Sequence, residues 1–257
     1  MTMHGKLLER VDPGSRAGRR PREISVSRLQ RLLAGAQLLE QDAHGPKVVQ
    51  LPSGAIVKLF RRKRRLSSAA WRPYGLRFVH NAAGLERRGV PTVRVRGFFH
   101  CPEAGRHVVV YRPLVGDVLR HCLERSETVD WIRLAHFLAQ LHQHGIYFRS
   151  LHSGNIVRVA DGGFGLIDVA DLQLLRNPLG LARRTRNLRP LLRDGSLGPL
   201  RLPGLFGQFI EAYCEAAGMA PLSTAVFRRL AWRQWARDGA QSSERSASGS
   251  ASAAGSR

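Results

Sequence analysis

The chain is short of acid. It carries 19 Asp and Glu against 41 Lys and Arg, a formal charge of +22 over 257 residues. With about two cations for each anion, internal pairing cannot neutralise the surface. The chain is expected to be drawn to polyanions: nucleic acid, an anionic membrane surface or a phosphorylated glycolipid. Aromatic residues are also few, at 7%. Nothing in the chain has the aromatic platforms on which single-stranded nucleic acid stacks, so specific nucleic-acid binding is not expected. The three cysteines, Cys101, Cys122 and Cys214, are odd in number and have no metal-ligand spacing. That excludes a disulfide scaffold and predicts reduced thiols in a cytoplasmic protein. No apolar run reaches the roughly 18 residues of a membrane span, and no signal peptide opens the chain. Glycine-rich phosphate loops are missing too: the one candidate, Asp42-Ala43-His44-Gly45-Pro46, holds a single glycine.

What is present is enough for a folded protein. Hydrophobic residues make up 43% of the chain, and the length allows one core or two lobes. Residues 1–23 are rich in Gly, Pro and Arg without apolar periodicity, which predicts a flexible basic arm. Residues 239–257 are mostly Ser, Ala and Gly, too poor in apolar side chains to fold. Between these ends, Val26, Leu29, Leu32 and Leu33 predict a helix within 25–39. Residues 47–51 and 55–60, joined by Pro52-Ser53-Gly54, predict a β-hairpin. Lys58 falls inside its second, apolar strand. Either it lies on the solvent face of an edge strand, or it is buried and needs an anionic partner. The run Arg61-Arg62-Lys63-Arg64-Arg65 follows, either a solvated loop or a seat for anionic head groups.

Residues 76–88 predict a helix with Phe78, Ala82 and Leu85 on one face, closed by Gly89 and Pro91. Its only polar candidates to partner Lys58 are Glu86 and Asn81. Strands are expected over 92–99 and 106–111. Thr128 is placed to cap a helix running to about residue 144, with Ile132, Ala135, Leu138, Ala139 and Leu141 inward. His142 and His144 read as helix-end residues. The segment 172–193 is dense in arginine (Arg176, Arg183, Arg184, Arg186, Arg189, Arg193). It is either an ordinary cationic helix surface or a seat for an anionic acceptor. Helices over about 205–217 and 223–237 complete the chain, with Phe209, Ile210, Tyr213, Phe227, Leu230 and Trp235 inward.

The chemistry concentrates in two stretches. The first runs Tyr147-Phe148-Arg149-Ser150-Leu151-His152-Ser153-Gly154-Asn155-Ile156-Val157, and the second Gly165-Leu166-Ile167-Asp168-Val169-Ala170-Asp171. An amide at Asn155 and a carboxylate at Asp168, each beside a short apolar strand, suit Mg²⁺, which takes few protein ligands and the rest from phosphate and water. This layout resembles the catalytic core of the protein-kinase-like fold. Residues 150–155 look like the D-L-H-x-G-N loop of small-molecule and sugar kinases, with Ser150 where that loop has its Asp. Ile56-Val57-Lys58 resembles the strand lysine motif of the same fold, and Tyr111-Arg112-Pro113-Leu114 its hinge.

Over 26–235 the chain resembles the lipopolysaccharide core kinase family of Gram-negative bacteria, of InaA or Kdo kinase type, and within it the toluene tolerance subgroup. Val57-Lys-Leu-Phe-Arg-Arg-Lys63, Leu66-Ser-Ser-Ala-Ala-Trp71, Tyr111-Arg-Pro-Leu114, Tyr147-Phe-Arg-Ser-Leu-His152 and Leu166-Ile-Asp-Val-Ala-Asp171 carry the likeness. The resemblance implies an α+β, bilobal fold, with a small β-rich N-lobe over 24–111 and a mainly helical C-lobe over 112–238. It implies ATP and Mg²⁺ as cofactors, and a sugar of the lipopolysaccharide inner core as acceptor. The work would be done in the cytoplasm, in peripheral contact with the anionic face of the inner membrane. Lys58 and Tyr111 would bind nucleotide, and Asn155 and Asp168 metal and nucleotide.

Ser150 complicates the chemistry, because a serine hydroxyl is no base at neutral pH. A general base is worth about 10² to 10⁴ in rate. Phosphoryl transfer passes through a loose transition state, however, and leans mainly on charge and positioning. Asp171 is the substitute base or supports Asp168, and His152 orients either the acceptor or the loop. The alternative is a nucleotide-binding pseudokinase that assists lipopolysaccharide assembly or solvent tolerance.

Overall fold

The computed structural model describes residues 20–61 and 73–254, with side chains through Arg237. Most of the expected N-terminal arm, the basic run beyond Arg61 and the stretch 66–71 lie outside the described residues. The protein is α+β, with a β-rich N-terminal unit and a mainly helical second one, as expected. The first unit extends to Val115 and takes in Gly165–Leu172, a segment that the sequence assigned to the helical part. The second comprises Gly116–Phe164 and the chain from Gln173 onward.

The first unit is built on one sheet. Its strands are β1 (Arg22–Glu23), β2 (Gln37–Asp42), β3 (Gly45–Gln50), β4 (Ile56–Arg61), β5 (Arg94–Cys101) and β6 (Arg106–Arg112), in the spatial order β1-β5-β6-β4-β3-β2. The predicted hairpin forms, with Val48 opposite Lys58. On β4, alternation sends Val57 and Leu59 into a core with Leu29 and Leu32 of helix α1 (Val26–Leu33). Each such leucine contributes about 2 kcal/mol by burial. Helix α1 is capped by Ser25 and stops well short of residue 39. Gly35 turns the chain at φ +69, and pairing with β3 recruits 37–42 as a strand, tertiary pairing overriding helix propensity. Helix α2 (Tyr74–Glu86) buries Phe78, Ala82 and Leu85 as read from their spacing. The candidate phosphate loop is a tight turn between β2 and β3, with Asp42 paired to Gly45 and its carboxylate accepting from the His44 amide at 2.8 Å.

In the second unit, β7 (Asp117–Val118) and helix α3 (Leu119–Glu124) precede helix α4 (Trp131–Gln143). The cap of α4 is Asp130, not Thr128: its carboxylate accepts from the Arg133 amide at 2.8 Å, and a negative charge suits a helix N-terminus. Burial begins at Leu134, which leaves Ile132 41% exposed rather than inward. Strands β8 (Ile146–Phe148), β9 (Ile156–Arg158), β10 (Phe164–Leu166) and β11 (Leu172–Leu174) are short. They frame the two chemical stretches before helices α5 (Leu181–Leu192), α6 (Pro203–Ala217) and α7 (Pro221–Ala254). Helix α6 buries Phe209, Ile210 and Tyr213 as expected. The backbone of α7 stays helical to Ala254, where an unfolded tail is expected from 239. Its alanines favour helix by propensity alone, a term that a burial argument leaves out. All three cysteines are buried and free. Among the described residues no helix is long and apolar enough to cross a membrane.

Candidate active site

Lys58 belongs to an interior strand, not an edge: β4 lies between β3 and β6. Its side chain is 9% exposed and points away from the α1 core, toward the rings of Phe60 and Phe78 at 5.7 and 5.9 Å. An ammonium there needs an anion. The anion is Asp168, whose Oδ1 accepts from Lys58 Nζ at 2.6 Å across 110 residues of chain. The Asp168 side chain is 48% exposed, so the pair is half open.

Three features hold Asp168 in place. Gly165 lies so close to Pro91 that a Cβ would fall 2.6 Å from its carbonyl oxygen. That approach lets the Leu166 amide donate to the same oxygen at 2.9 Å, while the Thr92 hydroxyl donates to the Leu166 carbonyl at 2.7 Å. Asp168 itself sits in the left-handed region at φ 51, ψ 46, a conformation unusual for a non-glycine residue and frequent at functional sites. Downstream, Asn81 of α2 donates to the Val169 and Leu172 carbonyls at 2.7 and 2.8 Å. Asn81 therefore clamps the segment that carries Asp168, and the partner of Lys58 is Asp168, outside the helix pair of Asn81 and Glu86. Tyr111 packs on Phe78 at 5.2 Å. Burial, with the charges of Asp168 and Glu40, pushes its hydroxyl well above the usual tyrosine range. Asp171 closes the single helical turn that follows Asp168 and is half-buried.

The loop of the second unit is built by its own backbone and side chains. Asn155 Nδ2 donates to the Ser150 carbonyl at 2.9 Å and lies 3.1 Å from His152 Nε2. A carbonyl only accepts, so the amide nitrogen must face it, and the Asn155 oxygen is left for another donor or a cation. His152 Nε2 is turned to the Asn155 amide inside the loop. Ser150 is half-buried at the head of the same turn.

A residue that the motif did not reveal anchors this loop. The Asp194 carboxylate, 8% exposed, accepts from the Ser153 amide at 2.8 Å and the Ser153 hydroxyl at 2.5 Å. It also accepts from the Ser196 amide and hydroxyl at 3.1 and 2.8 Å, with Arg120 at 3.6 Å. Burial pushes the Asp194 carboxyl up, but the bonds from Ser153 and Ser196 outweigh it and hold the group below the usual carboxylate range. The signal in the sequence was Asp194-Gly195-Ser196, an Asx-turn pattern that names a cap but not a distant client.

The Asp168 carboxylate in the first unit and the Asn155 amide oxygen in the second are each of the type that a hard cation takes as ligand. Among the described residues, no group of three or more His, Cys, Asp or Glu side chains is arranged to hold a metal ion. The arginine-dense segment divides. Arg184 is buried and spent, its Nε donating to the Leu179 carbonyl at 2.7 Å and a terminal nitrogen to the Tyr213 hydroxyl at 3.1 Å. Arg186 and Arg189 remain at the surface.

No family model matches the chain, and no curated protein matches it. Solved structures to which the chain is similar in part include kinases. One is WbdD, a bifunctional kinase-methyltransferase, with TM-score 0.41 and 14% identity over 69% of this chain and 45% of that one. WbdD in co-crystals with a kinase inhibitor gives 0.44 and 16% over 74% and 44%. The chain thus spans under half the length of WbdD. A third is a divergent kinase that lacks the glycine-rich loop and regulates membrane ultrastructure of the Toxoplasma parasitophorous vacuole, with TM-score 0.44 and 17% identity over 84% and 80%. At this level of similarity, substrate and activity have to be argued from the residues themselves.

Proposed function

We propose that the chain is an ATP-dependent phosphotransferase whose acceptor is a sugar of the lipopolysaccharide inner core, the reading its sequence resemblance implies. The observation that carries it is the Lys58–Asp168 pair: a buried strand lysine meeting a half-open, left-handed aspartate. In this reading Lys58 exchanges Asp168 for the phosphate oxygens of the nucleotide, with which a lysine pairs as a point charge. Tyr111 borders the nucleotide site. Asn155 and Asp168 would each offer an oxygen to Mg²⁺, which would neutralise phosphate charge. Ser150 accepts or donates one hydrogen bond at the acceptor hydroxyl and removes no proton. The hydroxyl proton leaves late, to Asp171 or to water, which slows transfer without abolishing it.

A second reading rests on Ser150 itself, and on Lys58 being already satisfied by Asp168. It describes a nucleotide-binding pseudokinase that assists envelope assembly. Phosphate content of the lipopolysaccharide core, measured by mass spectrometry, separates the two. Cells with the wild-type chain should carry a core phosphate that Asp168→Ala and deletion strains lack. Identical cores from all three strains would sink the kinase reading for this acceptor.

A further inference from the structure

The second unit contains a cavity of about 370 Å³ lined by Tyr147, Arg149, Arg186, Asn187, Arg189, Pro190 and Arg193. Arg186 and Arg189 stand at i and i+3 on α5, and Arg193, its C-cap in helical conformation, follows at i+7, so the three form one stripe. Arg149 reaches the same space from the end of β8, one residue before Ser150. Like charges stacked on one helix face repel each other. Among the described residues, no carboxylate lies within ion-pairing distance of Arg149, Arg186 or Arg189.

The floor of the cavity is rigid and already committed. Asn187 accepts from the Phe148 amide at 3.3 Å, donates to the Phe148 carbonyl at 2.5 Å, and meets His142 Nε2 at 3.0 Å. It positions the strand and helix without competing for a ligand. Pro190 has no N–H to give the Arg186 carbonyl four residues earlier, which leaves an acceptor on the arginine stripe. The volume is in the range of small-molecule sites, above the roughly 300 Å³ floor for them, and leaves room for more than a bare phosphate. Guanidinium forks grip phosphate bidentately, the Tyr147 ring offers a wall, and the Arg186 carbonyl can take a hydroxyl.

We infer that this cavity is a binding site for a phosphomonoester attached to a hydroxylated body, either a soluble sugar phosphate or the head of a phosphorylated lipid. The site stands apart from the nucleotide reading, since none of Lys58, Tyr111, Asn155 or Asp168 lines it.

The test compares wild type, Arg186→Gln/Arg189→Gln and the control Arg229→Gln/Arg233→Gln, which removes the same charge from exposed positions on α7. One arm titrates glucose 1-phosphate and glucose by calorimetry. The other measures co-sedimentation with phosphatidylcholine vesicles with and without phosphatidic acid. A thermal-shift assay with a non-hydrolysable ATP analogue and Mg²⁺ runs beside both. The expected result is binding of the phosphorylated probe in at least one arm, weakened about tenfold or more by the cavity pair and little by the control pair. The arm that binds identifies the source. The inference is overturned by equal losses in the two pairs, by no loss in the cavity pair, by binding of glucose as tight as that of glucose 1-phosphate, or by no binding in either arm. A wild type that binds the phosphorylated probe but not the nucleotide analogue would overturn the kinase reading and leave this site in place.

Discussion

Two buried polar clusters, one in each unit, show opposite designs. In the sheet unit, Lys58 is nearly covered while its partner Asp168 is half in water. In the helical unit, His142 is fully buried between Tyr213, whose hydroxyl lies 2.6 Å from Nδ1, and Asn187, while Arg184 closes the set from behind Tyr213. The second cluster is shut: Asn187 also brackets Phe148, and the rings of His142 and Tyr213 meet edge-on at 5.7 Å. An open pair can trade one partner for a ligand. A closed network can only hold or break, because each group removed strands another in a medium of low dielectric.

Acid should break the closed network first and most. Burial, against the bond from Asn187 and with the nearby charge of Arg184, pushes the His142 imidazole down to about 3. The unfolded chain takes its proton near 6.5, so between those values the unfolded state binds more protons than the folded one. Stability therefore falls as pH drops through that window, by on the order of 1.4 kcal/mol per pH unit, and is indifferent to this group above it. Urea titrations from pH 7 to pH 4 should show that slope for the wild type and a shallower one for His142→Gln. Equal slopes would mean that His142 is protonated in the fold.

Opening the same cluster by mutation is the next largest effect. Asn187→Ala strands His142 Nε2 and both backbone groups of Phe148, and should cost about 2–4 kcal/mol in chemical denaturation at pH 7. A cost of under about 0.5 kcal/mol, the level of an ordinary surface substitution, would mean the cluster is not closed in solution.

The open pair should respond less and asymmetrically. Asp168→Asn leaves the Lys58 ammonium buried without its anion and should destabilise by about 1–2 kcal/mol, whereas Lys58→Met leaves a solvated carboxylate and should be within about 1 kcal/mol of wild type. The reverse order of the two melting temperatures would show that the lysine is not the buried partner.

Much of the chain was legible because burial follows local period. The α1 and α2 faces, the hairpin with Lys58 in its second strand, and the inward set of α6 all read from spacing of apolar residues. Misses came where two local signals competed. Thr128 and Asp130 are both good caps, and only the Arg133 amide decided between them. Residues 37–39 look like more helix until β3 offers a pairing partner. In the candidate site, the motif offered Asn155 and Asp168 as candidate oxygen ligands, but it did not offer Asp194 as the loop anchor, since Ser153 becomes its neighbour only after folding.

The sequence by itself determined the charge imbalance, the residue types at positions 58, 150, 155 and 168, and the need of Lys58, if buried, for an anion. Only the tertiary structure decided which anion, because a contact across 110 residues has no local period. It also sorted the arginines of α5: Arg184 is sealed against Tyr213, while Arg186 and Arg189 line a cavity. Composition counts charges, and the packing of a helix against its neighbours decides which of them are spent.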